Sequence, residues 1–151
     1  MKTLKIKHGD WVVVCDGRKA LILTNAGDEL YPNLKTLEVR EHDDPPTHLI
    51  GTDKPGRVHS AAATGQAARS AVEQTDWHDA SERAFLKDLA KHLDAAVTSG
   101  KTNALYITAP PRALGVLRQA YSPAVRHKLL GEIEHDYVKL PVDEIERRLF
   151  A

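Results

Sequence analysis

Apolar side chains follow two rhythms along this chain. Near the N-terminus they run without interruption, as Trp11-Val12-Val13-Val14-Cys15 and, after Asp16-Gly17, as Ala20-Leu21-Ile22-Leu23. Short β-branched runs on either side of an Asp-Gly pair predict a hairpin. The lack of polar alternation predicts strands covered on both faces. Asn25 to Asn33, with Gly27, Asp28 and Pro32, reads as a turn. Leu34 to Glu41 then alternates, with Leu37 and Val39 on one face, and predicts a third strand. Beyond residue 78 the rhythm lengthens. Asp79-Ala80-Ser81-Glu82 has capping-box spacing, and Phe85, Leu86, Leu89, Ala90, Leu93 and Val97 recur at helical spacing up to Ser99-Gly100. Leu105 to Thr108 predicts a short buried strand. Ala109-Pro110-Pro111 stops it, and Pro111 is placed to open a helix carrying Leu114, Leu117 and Ala120. Ser122-Pro123 predicts the N-cap and first position of another helix, with Val125, Leu129 and Leu130. Glu134 to Lys139 reads as strand or turn, and a last helix runs from Pro141 to near Phe150.

The interval between these halves has no period. It holds His42-Asp43-Asp44-Pro45-Pro46, Asp53-Lys54-Pro55-Gly56-Arg57 and the small-residue stretch Ala61 to Ala68. A long mobile loop over about 42–76 is predicted, a length that tends to serve function inside a compact domain. Strands first, then helix, strand and helices, predict one α/β domain over residues 1–151, bordering on α+β, with a mixed sheet flanked by helices.

Composition narrows the function classes. The chain has 151 residues, 42% hydrophobic and 28% charged, as expected for one globular domain and not for disorder. No apolar run reaches the roughly 18 residues of a membrane span, and no apolar segment follows Met1 to Lys7 to make a secretory leader. One cysteine cannot form an internal disulfide, so a cytoplasmic location and no membrane are expected. Twenty-one basic and 21 acidic side chains argue against a general polycation. The charge is nonetheless segregated: residues 95–131 carry five Lys or Arg and no Asp or Glu, while residues 73–94 carry three basic and six acidic. One basic face for a specific anionic partner is therefore left open.

Candidate chemistry is sparse. Asp16 ends a buried strand, where a nuclease-like metal carboxylate would sit, but no partner carboxylate has a telling spacing. It reads as turn chemistry. Eight scattered histidines make no ligand pair, so no metal and no cofactor are expected. Cys15 lies in an apolar run and reads as a packed thiol. Arg112 and Arg118 follow a strand end, where open α/β sheets bind anions near helix N-termini, with Gly115 read as easing the helix packing at that corner. Thr64-Gly65-Gln66 offers a glutamine on a small-residue loop, with Arg57 and Arg69 nearby.

As a whole the sequence resembles the bacterial host-attachment family, proteins required for attachment to host cells. The resemblance rests on Val12 to Leu23, on Asp53-Lys54-Pro55-Gly56-Arg57, and most on Leu105 to Arg118 with its Ala-Pro-Pro…Leu-Gly-x-Leu-Arg pattern. It continues through Ser122 to Arg126 and from Asp136 to Leu140-Pro141. That family is similar to the middle domain of archaeal and eukaryotic peptide-chain release factors and of Pelota, which implies a ribonuclease H-like α/β fold. In release factors a Gly-Gly-Gln loop promotes peptidyl-tRNA hydrolysis. Gly65 and Gln66 match its last two positions, while Thr64 stands at the first glycine, where a positive φ would be costly.

The resemblance and the basic segments together predict an RNA- or ribosome-associated binding protein rather than an enzyme. The binding residues expected are Arg57, Arg69, Arg112, Arg118, Arg126 and Lys128. Two alternatives stand beside it: a hydrolase of peptidyl-tRNA or another RNA ester acting through Gly65 and Gln66, and an interaction module that affects attachment through a protein partner.

Overall fold

The computed structural model describes residues 4–42 and 63–150, with residues 63–78 described as backbone alone. Five strands form one mixed sheet: β1 (Trp11–Cys15), β2 (Lys19–Asn25), β3 (Leu34–Glu41), β4 (Leu105–Ala109) and β5 (Leu129–Glu134). Their order is β3-β2-β1-β4-β5. β1 and β2 are antiparallel, as are β2 and β3, whereas β1–β4 and β4–β5 are parallel. The helices are α1 (Ala63–Thr98), α2 (Pro111–Ala120), α3 (Pro123–Lys128) and α4 (Val142–Phe150). The expected mixed α/β class is the one observed.

Both faces of the three central strands β2, β1 and β4 are covered, which explains their uninterrupted apolar runs, whereas Leu37 and Val39 of β3, read as one apolar face, are exposed. Trp11, Val13 and Cys15 of β1 join Ile107 of β4 against Leu86, Leu89, Leu93, Leu114, Leu117 and Val125 on α1 to α3. Val12, Val14 and Tyr106 point the other way, to Ile6, Val138, Ile145 and Leu149. Fully buried leucines such as Leu89 and Leu117 each contribute about 1.5–3 kcal/mol of transfer free energy.

Local chemistry closes the elements. The Oδ1 atom of Asp16 accepts the backbone N–H groups of Arg18 and Lys19, both at 2.8 Å, so Asp16-Gly17 is the hairpin turn expected. Ser122 caps α3 by accepting the Val125 N–H at 3.1 Å, with Pro123 in the first turn. Gly100, at φ +81°, ends α1: its N–H reaches the Val97 carbonyl and that of Lys101 reaches Ala96. This paired closure is a Schellman motif. Asn25 is fully buried and anchors the β2–β3 turn. Its amide donates to the carbonyls of Ile6, Lys7 and Asp28, and its Oδ1 accepts from Gly27 and Asn33.

Three expectations are corrected. The long helix begins at Ala63, not at Asp79, so the part of the expected 42–76 loop from residue 63 onward is helical backbone. Four alanines between residues 63 and 71 outweigh one glycine, which costs only about 1 kcal/mol in a helix. Leu129 and Leu130 leave the helix and open β5, where Leu129 pairs with Leu105 of β4 and a register shift passes over Leu130. Gly115 is exposed on α2, and a Cβ there would meet nothing within 4 Å, so it does not ease close packing.

Candidate binding cleft

β1 and β4 lie side by side and parallel, but the chain leaves them in opposite directions. From β1 it turns back into β2, and from β4 it passes through α2 and α3 to β5 on the far side. Open α/β sheets bind ligands beyond the carboxyl ends of such strands. A cleft of about 320 Å³ lies at that point. It is lined by the Asp16–Arg18 turn, by Asp79, Glu82, Arg83 and Leu86 of α1, and by Pro110, Arg112, Ala113 and Val116 at the start of α2.

Each element supplies one arginine. Arg18 projects from the hairpin turn and lies 3.9 Å from Glu82. Arg112, in the first turn of α2, bonds Asp79 at 2.5 Å, and its side chain is 67% exposed. Arg83 is exposed and has no ion-pair partner among the described residues. Gly17 leaves room for the Glu82 side chain, which a Cβ there would meet at 2.9 Å. The floor is apolar: Leu86 and Ala113 are buried, with Pro110 and Val116 beside them.

The arginines read from the sequence do not all converge. Arg112 lines the cleft. Arg118 stands almost two turns further along α2, where its Nε donates to Glu132 of β5 at 2.8 Å. That bond and the Glu132 charge raise the Arg118 pKa further. Tyr121 donates to the other Glu132 oxygen at 3.1 Å, and burial pushes its phenol well above the ordinary range. Arg126 donates to the Arg118 carbonyl, and Lys128 closes α3. Neither lines the cleft. Arg57 lies outside the described residues, as do the side chains of Gln66 and Arg69, while Gly65, Gln66 and Arg69 have helical backbone. The acid-free segment 95–131 therefore meets acids from elsewhere, Asp79 at Arg112 and Glu132 at Arg118.

Arg18 and Arg83 were not among the sequence candidates. Arg18 was findable, because it directly follows the turn after a buried strand. Arg83 sits in a helix with a net acidic sequence, and only the packing of α1 brings it to the rim. Among the described residues no group of His, Cys, Asp and Glu is arranged to hold a metal, and no helix is long and apolar enough to cross a membrane. Cys15 is buried, and desolvation, aided by the charges of Asp16 and Asp136, pushes its thiol up to about 12. A thiol so protonated is a packing group at neutral pH. His92 Nε2 donates to the Glu38 carboxylate at 2.9 Å, and His8 Nδ1 donates to the Gly27 carbonyl at 2.8 Å.

A family profile described as "Protein required for attachment to host cells" matches residues 11–149, nearly the whole chain. The chain belongs to this family. The matched span contains all five strands and every residue of the cleft. The chain is also similar to an uncharacterised protein of Rickettsia prowazekii (strain Madrid E), with 32% identity over 79 residues. That alignment covers 51% of this chain and about half, 53%, of the rickettsial protein.

Proposed function

We propose that this host-attachment protein is a binding protein for RNA, docking on it through the cleft at the ends of β1 and β4. The observation that carries the reading is the convergence of Arg18, Arg83 and Arg112, from three separate elements, on one rim. Guanidinium groups are planar and always charged, which suits them to phosphate oxygens. Arg83 has no described acidic partner, and the exposed Arg112–Asp79 pair can rearrange at little cost. The layered mixed sheet supports the likeness to the ribonuclease H-like middle domain of release factors and Pelota, and so a ribosomal RNA partner. The binding reading is favoured over hydrolysis by the helical backbone at Gly65 and Gln66, since a loop entering a narrow reaction centre cannot be a continuous helix.

Cosedimentation with purified ribosomes across a salt series tests this. The protein is expected to pellet at low salt and to leave the pellet as salt rises, because phosphate contacts release counterions. R83E/R112E is expected to leave at lower salt than wild type. Protein that stays in the supernatant at the lowest salt overturns the reading. Peptidyl-tRNA incubated with the protein is expected to remain intact; release that disappears in Gln66→Ala would restore the hydrolase.

A further inference from the structure

We infer that the cleft between the ends of β1 and β4 takes a nucleoside 5′-phosphate, free or as the terminal residue of an RNA strand. The inference rests on the reading of this cleft as the protein's anion site, and it names the chemistry of the ligand.

Three features point to a nucleotide and not to a bare phosphate. The first is size: about 320 Å³ lies within the range of small-molecule sites, larger than one phosphate fills. The second is the floor. Half-buried Pro110 and Val116, backed by buried Leu86 and Ala113, give the cleft an apolar side that suits the face of a base. The third is the mixed rim. Asp16, Asp79 and Glu82 stand among the three arginines, so the charged side chains of the lining balance. A polyphosphate would set its charge against those carboxylates. A nucleotide brings both kinds of partner, an anion for Arg83 and Arg112 and hydroxyl or amine donors for the carboxylates. Ribose hydroxyls and base amino groups are donors that Asp and Glu accept from. The carboxylates have capacity left, since an ionised carboxylate accepts about four hydrogen bonds. Glu82 stands 3.9 Å from Arg18 beside the Gly17 turn, and Asp79 bonds Arg112, so both carboxylates lie on the rim. On binding, the phosphate shares Arg112 with Asp79, and Arg83 closes on it from α1.

Calorimetric titration of the full chain with AMP, adenosine, ribose 5-phosphate and inorganic phosphate tests this. AMP is expected to bind about tenfold or more tighter than each fragment, because only AMP engages floor and rim together. R83A/R112A is expected to weaken AMP by about tenfold or more, while adenosine changes little. Val116→Glu is expected to weaken both. Matched thermal melts establish that the variants are folded, and the arginine pair, being exposed, decides the matter if Val116→Glu is not. No saturable AMP binding, or equal binding of AMP and inorganic phosphate, overturns the inference. The source is read from competition: a 5′-phosphorylated RNA oligonucleotide that displaces AMP where its 5′-hydroxyl form does not identifies the strand end, and failure of both to compete identifies the free nucleotide. Ribosome binding without AMP binding overturns the nucleotide site and leaves the RNA reading. AMP binding without ribosome or RNA binding does the reverse.

Discussion

Asn25 organises five hydrogen bonds with one side chain, three as donor and two as acceptor, although an amide has only two N–H groups and so shares them. Buried polar groups left without partners cost about 1–3 kcal/mol each. Asn25→Leu strands three carbonyls and two N–H groups at once, and a loss of several kcal/mol is expected in urea unfolding. A loss below about 1 kcal/mol would show that water takes over those groups. Cys15 makes the opposite point. Its buried thiol, pushed up to about 12, is expected to ignore a thiol reagent at pH 8 in the native state and to react once, fully, in denaturant. Rapid native labelling would mean that β1 opens locally. The apolar run around it made Cys15 legible as a core residue. Asn25 was read only as part of a turn, because its partners at Ile6 and Lys7 lie 19 and 18 residues away.

At the scale of elements, β3 is held to α1 by charge more than by apolar burial. Glu38 bonds Arg40 and His92 at 2.9 Å each, and Arg40 also reaches Asp88 at 3.1 Å. Burial by itself would raise the Glu38 pKa, but the bonds and charges of Arg40 and His92 outweigh it and hold the carboxyl below its usual range. A carboxyl depressed by folding stabilises above its unfolded pKa, about 4.3, and loses that contribution as pH falls through the folded value. Wild type is therefore expected to exceed Glu38→Gln in stability near neutrality, with the gap shrinking as pH drops below about 4. A gap that stays constant down to acid pH would assign the effect to packing. The helices divide differently. The end of α1 at Gly100 and the starts of α2 and α3 were legible, because proline, serine and glycine act within one turn. The start of α1 was not, since a capping-box pattern at Asp79 also fits the middle of a helix that alanine-rich sequence carries upstream. Leu129 and Leu130 were ambiguous for another reason: a short apolar run suits a strand or a helix, and only β4 decides.

Over the whole molecule, zero net charge is a balance made in space. Arg112 and Arg118 come from an acid-free stretch, yet Asp79 and Glu132 neutralise them from α1 and β5. The cleft inherits a mixed lining of three acidic and three basic side chains. The proposed ribosome binding is accordingly expected to show a shallow salt slope, of a few phosphate contacts and not ten. A steep slope in cosedimentation would place the main contact on another surface. Leu89→Ala, at a fully buried position on α1, is expected to cost about 2–5 kcal/mol and to lower the thermal midpoint. If stability stays within about 1 kcal/mol of wild type, α1 does not form the core of that layer.

The sequence by itself determined the hairpin, the buried β1 and β4, the proline start of α2, the Ser122 cap of α3, the mixed α/β class and Arg112 as a candidate, because each depends on neighbours within a few residues or on a local hydrophobic period. The tertiary structure decided which strands pair in parallel, that β5 exists, how far α1 extends, and that Arg18 and Arg83 meet Arg112 while Arg118 turns to Glu132. Those outcomes depend on groups dozens of residues apart. Their contact free energies arise only when the sheet order β3-β2-β1-β4-β5 brings the ends of β1 and β4 together.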